Sequence, residues 1–222
     1  MFDTEQKLVD EVTGLLESES SKVPKSLRSK NQMVLKEVNL GYGIADIVLT
    51  ECINPTEKRN KFLNPLDIKL LNIINRNPGV TIERIVSKTR LAKREVKKGI
   101  FSLENFGLIR TVEGRLTPLN DYTRTVKNTI AIEAKLRNWK RALNQAYRYK
   151  WFSQKSYVCL PSSAVKPAFK NIEIFKEMGV GLIEVCKHKG IKILYNPRPA
   201  RPISKDMSIL LNEYVLSELH AS

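Results

Sequence analysis

At 222 residues, 42% of them hydrophobic, the chain is long enough for one substantial core or for one domain carrying a smaller second one. Lys and Arg exceed Asp and Glu by 15 (38 against 23), spread along the chain, which favours a polyanionic partner, nucleic acid before an anionic membrane surface. No apolar run approaches the roughly 18 residues of a membrane span, and Met1 to Glu5 lacks the basic-then-apolar order of a signal peptide, so a cytoplasmic protein without a membrane partner is expected.

Cys52, Cys159 and Cys186 are odd in number and each lies in an apolar run, as buried thiols do in a reducing compartment. With His188 and His220 the only histidines, no Cys/His zinc spacing exists. A bound metal would need oxygen ligands, which suits Mg2+ (or Mn2+).

In chain order, residues 4–18 read as an amphipathic helix with Leu8, Val12, Leu15 and Leu16 on one stripe and Glu11 beside it. A polar, basic loop with Pro24 follows. Met33–Val38 and Ile44–Leu49 read as a β-hairpin around Leu40-Gly41-Tyr42-Gly43. Asp46 is the one charge in its strand. A buried unpaired carboxylate is costly, so it needs a cation, either an ordinary Lys or Arg partner or a metal.

Residues 54–64 bring Pro, Asn and charge and mark a boundary. Leu66, Leu70, Ile73 and Ile74 then mark one helix, and Ile82, Ile85 and Val86 a shorter one from Thr81. A third runs from about Ala92 to Asn105, with Val96, Ile100 and Leu103 on one face and Lys93, Arg94, Lys97 and Lys98 on the other. Gly107 ends it, and Leu108–Thr117, carrying Arg110 and Arg115, reads as two short strands around Glu113-Gly114. Lys and Arg outnumber Asp and Glu by 12 to 5 over residues 61–120, so DNA contact outweighs a merely solvated charge run.

Asn128–Lys135 is an apolar strand whose downstream end carries Glu133 and Lys135 two residues apart, on one face of the sheet. Taken alone, that pair is more often a surface ion pair than a site. The next stretch is helical by its Trp139, Leu143, Ala146 and Tyr147 spacing, with Gln145 and Tyr149 four apart. Tyr149 also suits a core and Gln145 a helix surface. Lys155–Leu160 returns to strand pattern, Ser162–Met178 to helix and Gly181–Tyr195 to two short strands. After Pro197, Pro199 and Pro202, residues 205–219 form a closing helix.

Two resemblances follow. Residues 64–118, above all Leu103-Glu104-Asn105-Phe106-Gly107-Leu108-Ile109, resemble a winged helix-turn-helix domain, which implies a basic third helix in the major groove. The order helix, hairpin, Asp46 strand, Glu133-Ala134-Lys135 strand and helix resembles the PD-(D/E)XK nuclease superfamily, and the Gln145-x-x-x-Tyr149 helix resembles its RecB-like branch. Asp46 and Glu133 lie 87 positions apart, which becomes an ordinary strand connection once residues 60–120 are excised. Ala45 stands where the family name has Pro.

The resemblance implies an α/β, restriction-endonuclease-like central mixed sheet flanked by helices (residues 1–60 and 120–222), with an inserted winged-helix domain (61–119). It also implies a Mg-dependent DNA endonuclease, with a catalytically inactive DNA-binding regulator on the nuclease scaffold as the alternative and RNA as a further substrate to test. Asp46, Glu133 and the Ala134 carbonyl would hold the metal, with Glu11 a further candidate because the first helix of several nuclease folds lends a carboxylate. Lys135 would orient or help deprotonate the attacking water, and Gln145 and Tyr149 would contact the DNA backbone. Cutting both strands usually takes two active sites, so a homodimer is compatible, though no interface is legible.

Overall fold

The computed structural model describes residues 2–18, 21–41, 43–53, 61–187 and 189–221. Residues 54–60 of the expected boundary, Tyr42 of the expected turn and His188 lie outside the described residues. The chain divides into two compact units: residues 1–54 with 126–208, and residues 55–125 with 209–222.

The first unit is α/β. It contains α1 (Glu5–Glu17), β1 (Gln32–Asn39), β2 (Ile44–Cys52), β5 (Val126–Ala134), α5 (Trp139–Arg148), β6 (Lys155–Pro161), α6 (Val165–Lys170), α7 (Ile172–Met178), β7 (Gly181–Cys186) and β8 (Gly190–Tyr195). The strands form one mixed six-stranded sheet in the order β1-β2-β5-β6-β7-β8. β1, β2 and β5 pair antiparallel, β5, β6 and β7 pair parallel, and β8 returns antiparallel to β7. Parallel strands need helical crossovers, and α5 and the α6–α7 pair supply them.

Both faces of the sheet are covered, which explains why β5 and β6 read as nearly continuous apolar runs. On one face Leu8, Val12 and Leu16 of α1 pack with Ile47, Leu49, Ile132, Tyr157, Cys159 and Ile183. The alternate residues Val48, Ala131, Glu133, Val158 and Leu160 are buried as well. On α5, Ala142, Leu143 and Ala146 are buried, and the Trp139 ring stacks 5.7 Å from Phe175 of α7. The expected helix over 162–178 is two helices instead. Asn171 leaves helical geometry (φ −110°, ψ 31°), and its amide donates to the Pro167 carbonyl.

The second unit holds α2 (Pro65–Arg76), α3 (Ile82–Thr89), α4 (Lys93–Asn105), the hairpin β3 (Ile109–Val112) and β4 (Arg115–Pro118), and most of α8 (Lys205–Ala221). Asn64 and Asp67 form a reciprocal capping box around Pro65, and Thr81 caps α3. The three helices and the hairpin close over Ile68, Leu70, Ile85, Val96, Leu103 and Leu116. Gly99 lets α2 and α4 approach closely, since a Cβ there would meet Leu70 Cδ1 at 2.5 Å.

The closing helix, assigned from the sequence to the sheet domain with the rest of 120–222, is continuous and belongs from Ile209 onward to the second unit. Its Glu213 accepts hydrogen bonds from Leu63 N (2.7 Å) and the Tyr122 hydroxyl (2.5 Å), and Asn212 accepts one from Thr125 N (2.8 Å). Both side chains are buried, and these bonds satisfy them inside the second unit. Among the described residues no helix is long and apolar enough to cross a membrane.

Candidate active site

The β2–β5 ladder runs from Cys52–Val126 to Ile47–Ile132 and stops one pair short of Asp46 and Glu133. On the other flank, Lys36 faces Ile47 and Val38 faces Ala45, with Glu37 between them at a left-handed φ of 53°. Where the ladder stops, the Asp46 side chain takes the place of a strand: its Oδ2 accepts the Ala134 N–H at 2.7 Å. This bond draws Asp46 to the end of β5, where Glu133 and Lys135 emerge.

The Lys135 ammonium is the hub. It lies 2.9 Å from Glu133 Oε1, 3.2 Å from Glu5 Oε2, 3.7 Å from Asp46 Oδ2 and 3.2 Å from the Ala134 carbonyl to which it donates. The Lys135 side chain is 16% exposed and that of Glu133 only 1%. A buried ion pair survives when further hydrogen bonds complete it. The Tyr149 hydroxyl donates to Glu133 Oε2 and lies 2.7 Å from the Ile44 carbonyl.

Burial pushes the Asp46 carboxyl above its ordinary value, against the pull of the Ala134 N–H and Lys135. Burial, reinforced by the Asp46 charge, pushes Glu133 up in the same way, against Tyr149 and Lys135. For Lys135, burial works to lower the pKa, but Glu133, Asp46 and Glu5 together outweigh it and the value rises. Lys135 therefore carries its proton. Burial and the neighbouring Glu133 charge raise Tyr149, which stays a neutral donor.

Three carboxylates around one ammonium leave a formal surplus of two negative charges. Asp46, Glu133 and the Ala134 carbonyl turn hard oxygens toward one cationic point, so the donor set fits a divalent cation such as Mg2+. Among the described residues no group of three His, Cys, Asp or Glu side chains forms a ready-made metal cage. The site offers two carboxylates and a carbonyl, and a magnesium ion there would need water to complete its shell.

Glu11, expected as a further carboxylate, is replaced by Glu5 of the same helix. Six residues along a helix turn the side chain by about 120° and shift it about 9 Å, so α1 cannot present both to Lys135. Tyr149 also departs from expectation: at 2% exposure it is out of reach of a DNA backbone. It caps the C-terminus of α5, and its ring lies 5.8 Å from Phe152, so its hydroxyl holds Glu133 from beneath.

Gln145, expected at the DNA backbone, lies half-buried on α5. It lines an open cleft of about 790 Å³ with Glu5, Lys135, Arg137, Arg141 and Ser163, and its buried Oε1 has no hydrogen-bond partner. The sequence reading missed Glu5, Arg137 and Arg141. Arg141 and Gln145 lie four apart on α5, and that spacing was the available signal for Arg141, whereas Arg137 precedes the helix and carries no periodic signal. Asn138, in left-handed conformation (φ 50°), caps α5 by accepting from Arg141 N–H and turns the chain from strand to helix.

In the second unit, Arg94, Lys97 and Lys98 are exposed on α4, and Arg110 and Arg115 on the hairpin. Lys93 is exposed too, but pairs with Glu83 of α3 at 2.9 Å. Arg115 donates to the Gly79 carbonyl at 3.3 Å, which ties the hairpin to the turn before α3. Cys52 and Cys159 are buried free thiols, and Cys186 is half-buried. No family model matches the chain, and no curated protein or solved structure is significantly similar to it.

Proposed function

We propose that this protein is a magnesium-dependent endodeoxyribonuclease of restriction-endonuclease-like fold, carrying a winged helix that engages duplex DNA. One observation carries the reading: Asp46, Glu133 and the Ala134 carbonyl, from two adjacent strands, all turn their oxygens to the Lys135 ammonium beside an open, arginine-lined cleft. A structural ion pair needs one carboxylate; the surplus of acid here is suited to a second cation.

Asp46, Glu133 and the Ala134 carbonyl would hold the magnesium ion. When bound, it supplies a Lewis acid for phosphoryl oxygens and a more acidic water. The chain's own side chains do the rest. Arg137 and Arg141 neutralise phosphate oxygens in the cleft. Gln145, which lines the same cleft, contacts the sugar-phosphate backbone beside Lys135. Lys135 keeps its proton, so it orients the attacking water and stabilises charge growing on the phosphate instead of acting as a base. Tyr149 holds Glu133 in place from the buried side and touches no substrate.

The basic face of α4 and the arginines of the β3–β4 hairpin support duplex DNA as substrate. Supercoiled plasmid and a matched RNA, each incubated with the protein in Mg2+ and in EDTA, test the proposal. Nicking or linearisation of the plasmid in Mg2+ and none in EDTA is the expected result. DNA binding with no cleavage in any metal would favour a regulator built on this scaffold.

A further inference from the structure

α4 carries a feature that phosphate binding does not explain. Phe101 is 65% exposed, the most exposed of the large apolar side chains described. Successive helical residues turn by about 100°, so Arg94, Lys97, Lys98, Phe101 and Asn105 share an arc of about 100°. Buried Val96, Gly99, Ile100 and Leu103 lie opposite. Phe101 thus projects from the middle of the basic stripe, directly away from the core. Lys93, paired with Glu83, falls outside the arc.

An aromatic ring left in water within a cluster of cations gains nothing from the fold. Covering an exposed Phe side chain is favourable, and the flanking cations select a polyanionic partner to cover it. In the major groove the apolar feature on base edges is the thymine C5-methyl, which Phe contacts favourably.

We infer that Phe101 reads thymine methyl groups, making α4 a recognition surface for A·T-containing duplex sites, with Arg94, Lys97 and Lys98 on the flanking phosphates or base edges. The inference rests on the DNA-binding part of the proposed function and not on cleavage. Each methyl covered contributes about fourfold in affinity.

The test uses the intact protein in EDTA. A duplex pool randomised over a central stretch is selected for binding, and the enriched duplex is then titrated with thymine or with uracil at each enriched A·T pair. The expected result is enrichment of A·T pairs, about fourfold weaker binding per contacted uracil, and loss of that discrimination in Phe101→Ala. Phe101→Leu should keep part of it, because the contact is apolar. Equal binding of thymine and uracil duplexes by the parent, or full discrimination by Phe101→Ala, overturns the inference and leaves the nuclease reading standing. Failure of the parent to bind any duplex removes the DNA-binding reading and the inference together. A fall in molecular mass for Phe101→Ala, with the thymine-to-uracil ratio unchanged, would identify the patch as a contact between copies of the chain and overturn it as well.

Discussion

Asp46 Oδ2 accepts the Ala134 N–H at 2.7 Å, so the carboxylate stands where the next strand residue would have paired. The same oxygen lies 3.7 Å from Lys135. Backbone pairing and site assembly are thus coupled through one side chain.

Asp46→Asn keeps an acceptor for Ala134 N–H, whereas Asp46→Ala leaves that donor of a buried residue unsatisfied. Urea unfolding should find Asp46→Ala about 1–3 kcal/mol less stable than Asp46→Asn. Both variants should lose cleavage, since neither keeps the charge.

Tyr149→Phe removes the hydroxyl between Glu133 and the Ile44 carbonyl. A cost of about 1–3 kcal/mol in stability is expected. Cleavage should slow through kcat while DNA affinity stays at the parent value, because Tyr149 is buried. A matching loss of DNA affinity would restore it to the backbone-contact role expected from the sequence.

Asp46 and Glu133 have native pKa values raised above those of the unfolded chain, about 3.9 and 4.3. The native state therefore holds their protons more tightly. In metal-free protein their contribution to stability is fully present below the unfolded values and is lost as pH rises through the raised native ones. Urea midpoints measured across mildly acidic pH should show this fall for the parent and a shallower one for Glu133→Gln. Added Mg2+, which needs the carboxylates ionised, should offset the fall at the high-pH end.

Arg137→Ala and Arg141→Ala should weaken DNA binding and raise KM with a smaller change in kcat. Each should reduce the magnitude of the log affinity against log salt slope by about 1. Fluorescence anisotropy at several salt concentrations measures this, and an unchanged slope would take these side chains off the phosphates.

Much of the site was legible because strands repeat every two residues. A lone acid in an apolar hairpin strand and a Glu-x-Lys at a strand end put Asp46, Glu133 and Lys135 forward as candidates, and their order along the chain, which resembles a nuclease core, raises them above an ordinary ion pair. Tyr149 shows where periodicity stops helping. Its spacing from Gln145 predicts a shared helix face, but Tyr149 lies just past the last residue of α5 and is buried, and burial depth leaves no mark on spacing. Glu5 was illegible for a related reason, since helical pattern gives the apolar stripe of α1 but not which acid reaches a distant lysine. That most of α8 belongs to the second unit depends on Asn212 and Glu213 meeting Tyr122, Thr125 and Leu63, contacts about 90 or more positions away.

Glu133→Gln tests the central claim most directly. The amide retains the shape and can donate to the Tyr149 hydroxyl, so the fold should hold while the buried charge is gone. Plasmid cleavage in Mg2+, with DNA affinity measured alongside in EDTA, should fall by about a thousandfold or more at unchanged affinity, as loss of a metal ligand requires. Cleavage at the parent rate by Glu133→Gln would contradict the account.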